Sequence, residues 1–192
     1  MNRVVIVHCW EGYPDYCWYP QTKKELENKG FKVEVPEMPE TELPKLAKWL
    51  PKLQEVAGKP DRDLYLIGHS SGVITIIRYL ESLSADQKIG GAVFVAGFTN
   101  DLGYEELKNF FEKPVDLAKA KKNCNKFVAI HSDNDPYVSL DFGDKFQKEL
   151  GAKLIIKHNM GHFSGPVDDE KSCKELPEVA ASILELSSRF AK

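Results

Sequence analysis

The chain has 192 residues, of which 42% are hydrophobic and 29% are charged, and its formal net charge at pH 7 is −3. This length and composition predict a single globular domain over residues 1–192 with a full core. Interspersed acids and bases argue against a nucleic-acid-binding protein, and the lysines between residues 119 and 126 are better explained as a solvated helix face. No apolar run is long enough to span a bilayer.

Short β-branched runs alternate with helix-like stretches along the whole chain. The strand candidates are nearly continuous apolar runs, which is typical of strands buried on both faces of a parallel sheet. In chain order they are RVVIVHC, FKVEV, DLYLIGH, GAVFVAG, KFVAIHS and KLIIKHN. The helix candidates lie near residues 20–29, 43–56, 71–83, 104–122, 141–149 and 174–191. This alternation predicts an α/β domain, with a six-stranded, mostly parallel sheet and helices on both of its faces.

Two of the helix candidates carry apolar stripes. Helix 71–83 has apolar residues both on its stripe and beside it, so we expect it to be among the most buried elements. The final candidate, 174–191, tolerates a proline in its first turn, where the missing N–H would have no partner anyway. Its stripe consists of Leu176, Val179, Ala180, Ile183 and Phe190.

The N-terminus and the cysteines indicate the compartment. The first apolar run is short and β-branched, which favours a first strand over a signal peptide. The four cysteines, Cys9, Cys17, Cys124 and Cys173, include no C-x-x-C pair and match no zinc-site or disulfide-scaffold spacing. Thiols in a reducing compartment are the simplest interpretation, with a Cys9–Cys17 bridge as the alternative, and we therefore expect a cytoplasmic protein.

Polar side chains follow several of the predicted strands. In open parallel sheets, ligands bind at the carboxyl ends of the strands. All five histidines of the chain fall at such positions, together with Asp133 and Asp135, so we expect them to share one rim. The histidines are His8, His69, His131, His158 and His162.

Residues 68–72, GHSSG, lie between a predicted strand and a predicted buried helix. In that position the pattern G-x-S-x-G predicts a nucleophile elbow, in which a serine stands on a sharp turn above the sheet. Ser70 would be the nucleophile, and the backbone N–H of Ser71 would donate a hydrogen bond to a developing oxyanion. The alternative is an ordinary glycine-rich phosphate-binding turn, but the sequence matches neither G-x-G-x-x-G nor the P-loop pattern.

A nucleophilic serine needs a base and an orienting acid, which α/β-hydrolases supply in the chain order Ser, Asp or Glu, His. HSDNDPYVS follows the fifth predicted strand and HNMGHFSG follows the sixth. We predict Asp135, which precedes a proline, as the acid, with Asp133 as its competitor. His162 is the predicted base, because His158 is expected to point along the strand end.

The chain also resembles the retinoblastoma-binding-protein-9 family of small serine hydrolases, within the α/β-hydrolase superfamily. The motifs that carry the resemblance are WYPQTKKELENKGFKVEVPEMP, LIGHSSG, RYLES, TNDLG, NDPYV and GHF. The resemblance implies a Ser70–Asp135–His162 triad and a compact domain with little or no lid. The sequence departs from the superfamily at HCWEG, where Cys9 occupies the usual glycine position. The resemblance places the second oxyanion donor at the N–H of Trp10.

The predicted chemistry is acyl transfer to water through an acyl-enzyme, from small acyl esters or amides, and it requires no metal or organic cofactor. The stretch 99–123 is the only room for a cap, which favours a small-molecule substrate. Trp10, Tyr13, Trp18, Tyr137 and Phe163 are candidates for an apolar pocket or for the core. Two alternatives remain, a metal-dependent hydrolase that uses His8, His131, His158 and an aspartate, and a binding module that keeps the fold with little turnover. The sequence indicates no protein partner.

Overall fold

The computed structural model describes residues 1–164 and 173–188. Its six strands form one sheet in the order β2-β1-β3-β4-β5-β6, and every pair of neighbouring strands is parallel. The strands are β1 (Arg3–Val7), β2 (Lys32–Glu34), β3 (Leu64–His69), β4 (Gly91–Val95), β5 (Phe127–Ser132) and β6 (Lys153–Lys157). All six strands predicted from the apolar runs are confirmed.

Six α-helices and one 3₁₀ segment, Glu105–Phe110, connect or follow the strands in the described residues. The helices are α1 (Tyr19–Glu27), α2 (Leu46–Ala57), α3 (Ser71–Ser82), α4 (Leu117–Lys122), α5 (Asp141–Leu150) and α6 (Pro177–Ser187). The prediction of one helix over 104–122 is wrong. Pro114 lies between the 3₁₀ segment and α4, and a proline there removes a helical N–H and clashes with the preceding turn. Of the final stripe, Phe190 lies outside the described residues.

Alternate side chains of the strands bury two separate cores, one on each face of the sheet. Val5, Val7, Leu64 and Leu66 point to the face covered by α2, α3, α4 and α5. Val4, Ile6, Tyr65 and Ile67 point to the opposite face, which α1 and α6 cover. The helix α3 is buried along ten consecutive residues, from Ser71 to Leu80, as its apolar content predicted. Helices on both faces leave the strand ends as the open surface of the sheet.

The topology selects one place along that edge. From β1 the chain moves outward to β2 and then returns past β1 to form β3, after which each new strand is added on the far side. Ligands bind in such sheets at the point where the direction of strand addition reverses, which here lies between the carboxyl ends of β1 and β3. The residues between β4 and β5 form only the 3₁₀ segment and the short α4, so the sheet carries little lid. In the described residues no helix has the length and apolarity that crossing a membrane requires.

Candidate active site

Ser70 stands on the sharp turn that joins β3 to α3. Its backbone is left-handed, with φ 54° and ψ −117°, and its N–H donates to the carbonyl oxygen of Val95 at 2.9 Å. The turn requires two glycines because strand and helix approach so closely. A Cβ on Gly72 would lie 2.1 Å from the oxygen of Val7, and one on Gly68 would lie 2.8 Å from the nitrogen of Val73. The predicted elbow therefore has the expected geometry.

Ser70, His162 and Asp135 form a continuous hydrogen-bonded row. The imidazole Nε2 of His162 lies 2.9 Å from Ser70 Oγ, and its Nδ1 lies 2.8 Å from Asp135 Oδ2. A carboxylate only accepts hydrogen bonds, so Nδ1 carries the proton and Nε2 accepts from the serine hydroxyl. Ser70 and His162 are 8% and 7% exposed, and both line a cleft that is open to solvent.

The loop after β5 holds the Asp135 carboxylate in place. While Oδ2 faces His162, Oδ1 accepts from the backbone N–H groups of Tyr137 and Val138 at 2.9 and 3.0 Å. The side chain of Asp135 is only 1% exposed. A carboxylate that is buried among three donors has a fixed orientation and passes that orientation on to the imidazole.

Asp133 belongs to a different pair. Its Oδ2 lies 2.5 Å from Nδ1 of His158, and its Oδ1 accepts from the N–H of Asn159 at 3.0 Å. The backbone donor at Asn159, followed by His158, lowers the pKa of the Asp133 carboxyl. The side chain of His158 is 79% exposed and faces away from the row. The geometry thus separates the two candidate acids, because Asp135 contacts His162 and Asp133 does not.

A side-chain network that the motifs did not indicate ties the two loops together. Asn134 Oδ1 accepts from Ser132 Oγ at 2.8 Å and from the N–H of Gly161 at 2.9 Å. Ser132 Oγ in turn accepts from the N–H of Met160 at 3.0 Å. These bonds fix the loop that carries Asp135 against the loop that carries His162. No local pattern predicts the two bonds between the loops, because each joins residues more than 25 positions apart.

The loop after β1 presents one backbone N–H to the cleft. The oxygen of Cys9 accepts from His8 Nδ1 at 2.8 Å and from the N–H of Gly12 at 3.0 Å, and the N–H of Cys9 faces Tyr19 Oη at 3.2 Å. These bonds clamp the Cys9–Trp10 peptide. Its other end, the N–H of Trp10, donates to no group in residues 1–164 or 173–188.

Ser71 supplies a second backbone N–H, which has no hydrogen-bond partner within residues 1–164 and 173–188. It is the first residue of α3, where an amide has no intrahelical partner. Both Ser71 and Trp10 line the cleft that opens at Ser70. Two amides beside a nucleophile can bind the negative oxygen of a tetrahedral intermediate.

The cleft has a volume of about 290 Å³ and mostly apolar walls. The large side chains that line it include Trp10, Phe98, Leu102, Tyr104, Leu107 and Tyr137. Of the five aromatic candidates for the pocket, Trp10 and Tyr137 line it. Trp18 and Phe163 are fully buried core residues, and Tyr13 is exposed at the surface.

The wall formed by the 3₁₀ segment is anchored on two sides. Asn109 accepts from the N–H of Leu46 at 2.8 Å and donates to the oxygen of Pro44 at 3.0 Å. From the other side, the buried Arg78 of α3 donates to the carbonyl oxygens of Phe110 and Pro114 at 3.0 and 3.2 Å. The wall is therefore held in position before any substrate arrives.

The prediction that all five histidines share one rim is wrong. Only His162 lines the cleft, while His8, His69 and His131 are at most 1% exposed. Burial lowers the pKa of all three, to about 3 for His69 and about 4 for His131. His69 and His131 are residues of β3 and β5 themselves, which are buried along their whole length, and His8 packs edge-on against the buried ring of Trp49. Among the described residues, no group of three metal-binding side chains forms.

All four cysteines are thiols, and no Cys9–Cys17 bridge forms. Cys9 occupies the position at which the superfamily usually has glycine and lines the cleft. The peptide that follows it still presents the N–H of Trp10. The substitution therefore leaves the backbone of this loop able to donate.

Comparison with known proteins assigns the chain to a family. The model of the family described as "Serine hydrolase" matches residues 4–181. The chain belongs to the serine hydrolase family. It is 31% identical to the serine hydrolase RBBP9 of Rattus norvegicus over 149 residues, which cover 76% of this chain and 77% of that protein. It is 28% identical to YdeN of Bacillus subtilis over 163 residues, 84% of this chain and 86% of that protein.

Solved structures agree with this assignment. The crystal structure of the B. subtilis ydeN product superposes with a TM-score of 0.90 at 27% identity, and the match covers 98% of this chain and all of that one. Est1E of Butyrivibrio proteoclasticus, solved with ferulic acid bound, gives a TM-score of 0.75 at 16% identity and shares the fold, over 98% of this chain and 90% of that one. The protein is thus a serine hydrolase with an α/β-hydrolase fold, as the sequence motifs predicted.

Proposed function

We propose that the protein hydrolyses small acyl esters through a Ser70–His162–Asp135 triad and an acyl-enzyme. The observation that carries the proposal is the unbroken row of hydrogen bonds, 2.9 and 2.8 Å long, that ends in the cleft at a serine in a left-handed turn. Such a backbone conformation costs about 1–3 kcal/mol and persists where the surrounding structure requires it. An elbow of this kind leaves the serine oxygen accessible above the sheet.

In the first half-reaction, Ser70 Oγ attacks the carbonyl carbon of the ester while His162 Nε2 takes the serine proton. The carbonyl π electrons move onto oxygen, and the N–H groups of Ser71 and Trp10 donate to the resulting oxyanion. Each donor of this kind contributes about 10²–10³ in rate. Collapse of the intermediate breaks the bond to the leaving alcohol, which receives the proton from Nε2. Asp135 keeps the proton on Nδ1 throughout and stabilises the imidazolium.

In the second half-reaction, a water molecule takes the place of the alcohol. Nε2 of His162 removes its proton, the hydroxide attacks the acyl carbon, and Ser70 leaves as its hydroxyl. All groups that move protons or bind the oxyanion belong to the chain itself. The volume of the cleft and its apolar walls favour a short or compact acyl group over a long chain or a highly charged substrate.

The proposal is tested by Ser70→Ala with p-nitrophenyl acetate as substrate and a fluorophosphonate probe as label. We expect the variant to lose labelling and to lose turnover by up to about 10⁶-fold, because the nucleophile is gone while the fold remains. The matched control is Ser84→Ala, which removes an exposed hydroxyl whose hydrogen-bond partner in the described part of the chain is Asp86. Labelling of Ser70→Ala at the level of the control would disprove the assignment, as would activity that disappears with EDTA and returns with zinc.

A further inference from the structure

Two buried side chains that line no part of the cleft connect the loops that do. Tyr19 of α1 and His69 at the end of β3 are both fully buried. Tyr19 Oη lies 2.7 Å from His69 Nδ1, and His69 Nε2 lies 2.8 Å from the carbonyl oxygen of His162. On its other side, Tyr19 Oη lies 3.2 Å from the backbone nitrogen of Cys9. These four groups form a continuous series of hydrogen bonds. The series runs from the loop after β1, which presents the N–H of Trp10, to the loop that carries His162.

The donor and the acceptor of each hydrogen bond in this series follow from the carbonyl oxygen of His162 at one end. The oxygen of His162 can only accept, so His69 Nε2 carries a proton, and in a neutral ring Nδ1 must then accept. Tyr19 therefore donates its single hydroxyl proton to Nδ1, and its oxygen accepts from the N–H of Cys9. The hydroxyl then has no second proton for Cys9 Sγ, which lies 3.4 Å from Tyr19 Oη.

Burial keeps both side chains in the protonation states that the chain needs. It lowers the pKa of His69 to about 3 and raises the pKa of Tyr19 well above its usual value. Near neutral pH the imidazole is uncharged and the phenol is protonated. The hydrogen bonds of Tyr19 and His69 therefore keep the same donors and acceptors across the pH range in which His162 must act as a base.

These hydrogen bonds hold the two backbone segments on which the proposed catalysis depends. The N–H of Cys9 precedes the clamped peptide that presents the N–H of Trp10, and the oxygen of His162 belongs to the residue that faces Ser70. We propose that Tyr19 and His69 are positioning residues, which hold the N–H of Trp10 and the imidazole of His162 in the correct positions relative to each other. This inference rests on the proposed triad. Neither residue touches substrate, so the effect acts through Trp10 and His162.

The experiment compares Tyr19→Phe, His69→Gln and the double variant, with p-nitrophenyl acetate as substrate. Tyr19→Phe removes only the hydroxyl, and His69→Gln keeps an amide donor near the place of Nε2. We expect Tyr19→Phe to lower kcat by about 10- to 100-fold, since small misplacements far from the chemistry have effects of this size. KM should stay within about threefold, because neither side chain lines the cleft. The double variant should lose about as much as the worse single variant, because either change breaks the same link.

The matched control is Tyr79→Phe. Tyr79 is also a buried tyrosine, 2% exposed, and its hydroxyl has no hydrogen-bond partner among the described residues. We expect it to keep the kcat of the unaltered protein. The role of the donor at Nε2 is tested by comparing two variants of His69. His69→Ala removes the donor to His162 altogether, so its kcat should fall further than that of His69→Gln, which keeps a donor.

Thermal unfolding separates this role from a merely structural one. A lower Tm with kcat equal to that of Tyr79→Phe would overturn the proposal, and so would a rise in KM at constant kcat. If Tyr19→Phe does not fold, His69→Gln against His69→Ala decides on the same two readouts. The triad itself is judged separately: an inert Ser70→Ala together with a fully active Tyr19→Phe would contradict only the positioning role.

Discussion

The Asp135 carboxylate and the Asp133 carboxylate stand two residues apart on one loop but serve different histidines. Asp135→Asn keeps the size of the side chain, and its amide N–H then favours the tautomer with Nδ1 as acceptor. That tautomer points a proton from Nε2 at Ser70, so the base can no longer accept. We expect kcat on p-nitrophenyl acetate to fall by about 10⁴.

Asp133→Asn is the matched control for this prediction. It weakens a contact with the exposed His158 and leaves the Asp135–His162 bond in place. We expect its kcat to stay within about tenfold of the unaltered protein. If instead Asp133→Asn showed the larger loss, Asp133 would be the acid, and the row of Ser70, His162 and Asp135 would not be the catalytic triad.

At the scale of elements, the position of the 3₁₀ segment determines one wall of the cleft. Asn109 joins that segment to the start of α2 through its side-chain amide. In Asn109→Ala both bonds are lost, so the wall that carries Leu107 keeps only its anchor at Arg78 and can shift, while Ser70 and His162 are untouched. We expect KM for p-nitrophenyl butyrate to rise by about three- to tenfold at nearly constant kcat, the pattern of lost uniform binding.

Lys108→Ala provides the comparison on the same segment. Lys108 is exposed, and its ammonium group pairs with Glu105, one turn away. Its removal should leave both kinetic parameters unchanged. A fall in kcat rather than a rise in KM for Asn109→Ala would mean that the segment acts on the reacting groups, contrary to its role as a wall.

Local patterns predicted the elements well, and the reason lies in which interactions are local. The six strands followed from apolar runs such as YLI and VFV, and the elbow followed from two glycines around Ser70. The interruption between the 3₁₀ segment and α4 was also present in the sequence, as Pro114, but the prediction of one helix over 104–122 did not take this proline into account. The roles of Tyr19, Asn109 and Asn134 could not be predicted, because each depends on partners that only the tertiary fold brings near.

For the whole molecule, the buried histidines predict a sensitivity to acid. His131 is 1% exposed, and its pKa falls from the ordinary 6.5 to about 4, mainly because of burial. Between these two values the unfolded chain binds a proton that the folded protein does not. Stability is therefore fully present above about pH 6.5 and is lost toward pH 4, at up to about 1.4 kcal/mol per pH unit for one histidine.

His131→Leu should reduce this dependence. Neither ring nitrogen of His131 has a hydrogen-bond partner among the described residues, so an apolar side chain removes no bond. We expect the urea midpoint of the variant at pH 7.5 to equal or exceed that of the unaltered protein, and the difference between pH 7.5 and pH 5 to become smaller. An unchanged difference would assign the acid sensitivity to His69 and His8 instead.

The groups of the proposed active site come from nearly the whole length of the chain. Trp10 follows β1, Ser70 follows β3, Asp135 follows β5 and His162 follows β6, which is an edge strand of the sheet. Contacts between residues that are so distant along the chain form late, because closing the intervening loops costs entropy before the contacts are gained. A nascent chain that has formed the elbow but not yet β6 has a serine without a base. Under the proposed mechanism, ester hydrolysis therefore begins only after β6, the last parallel strand, has joined the sheet.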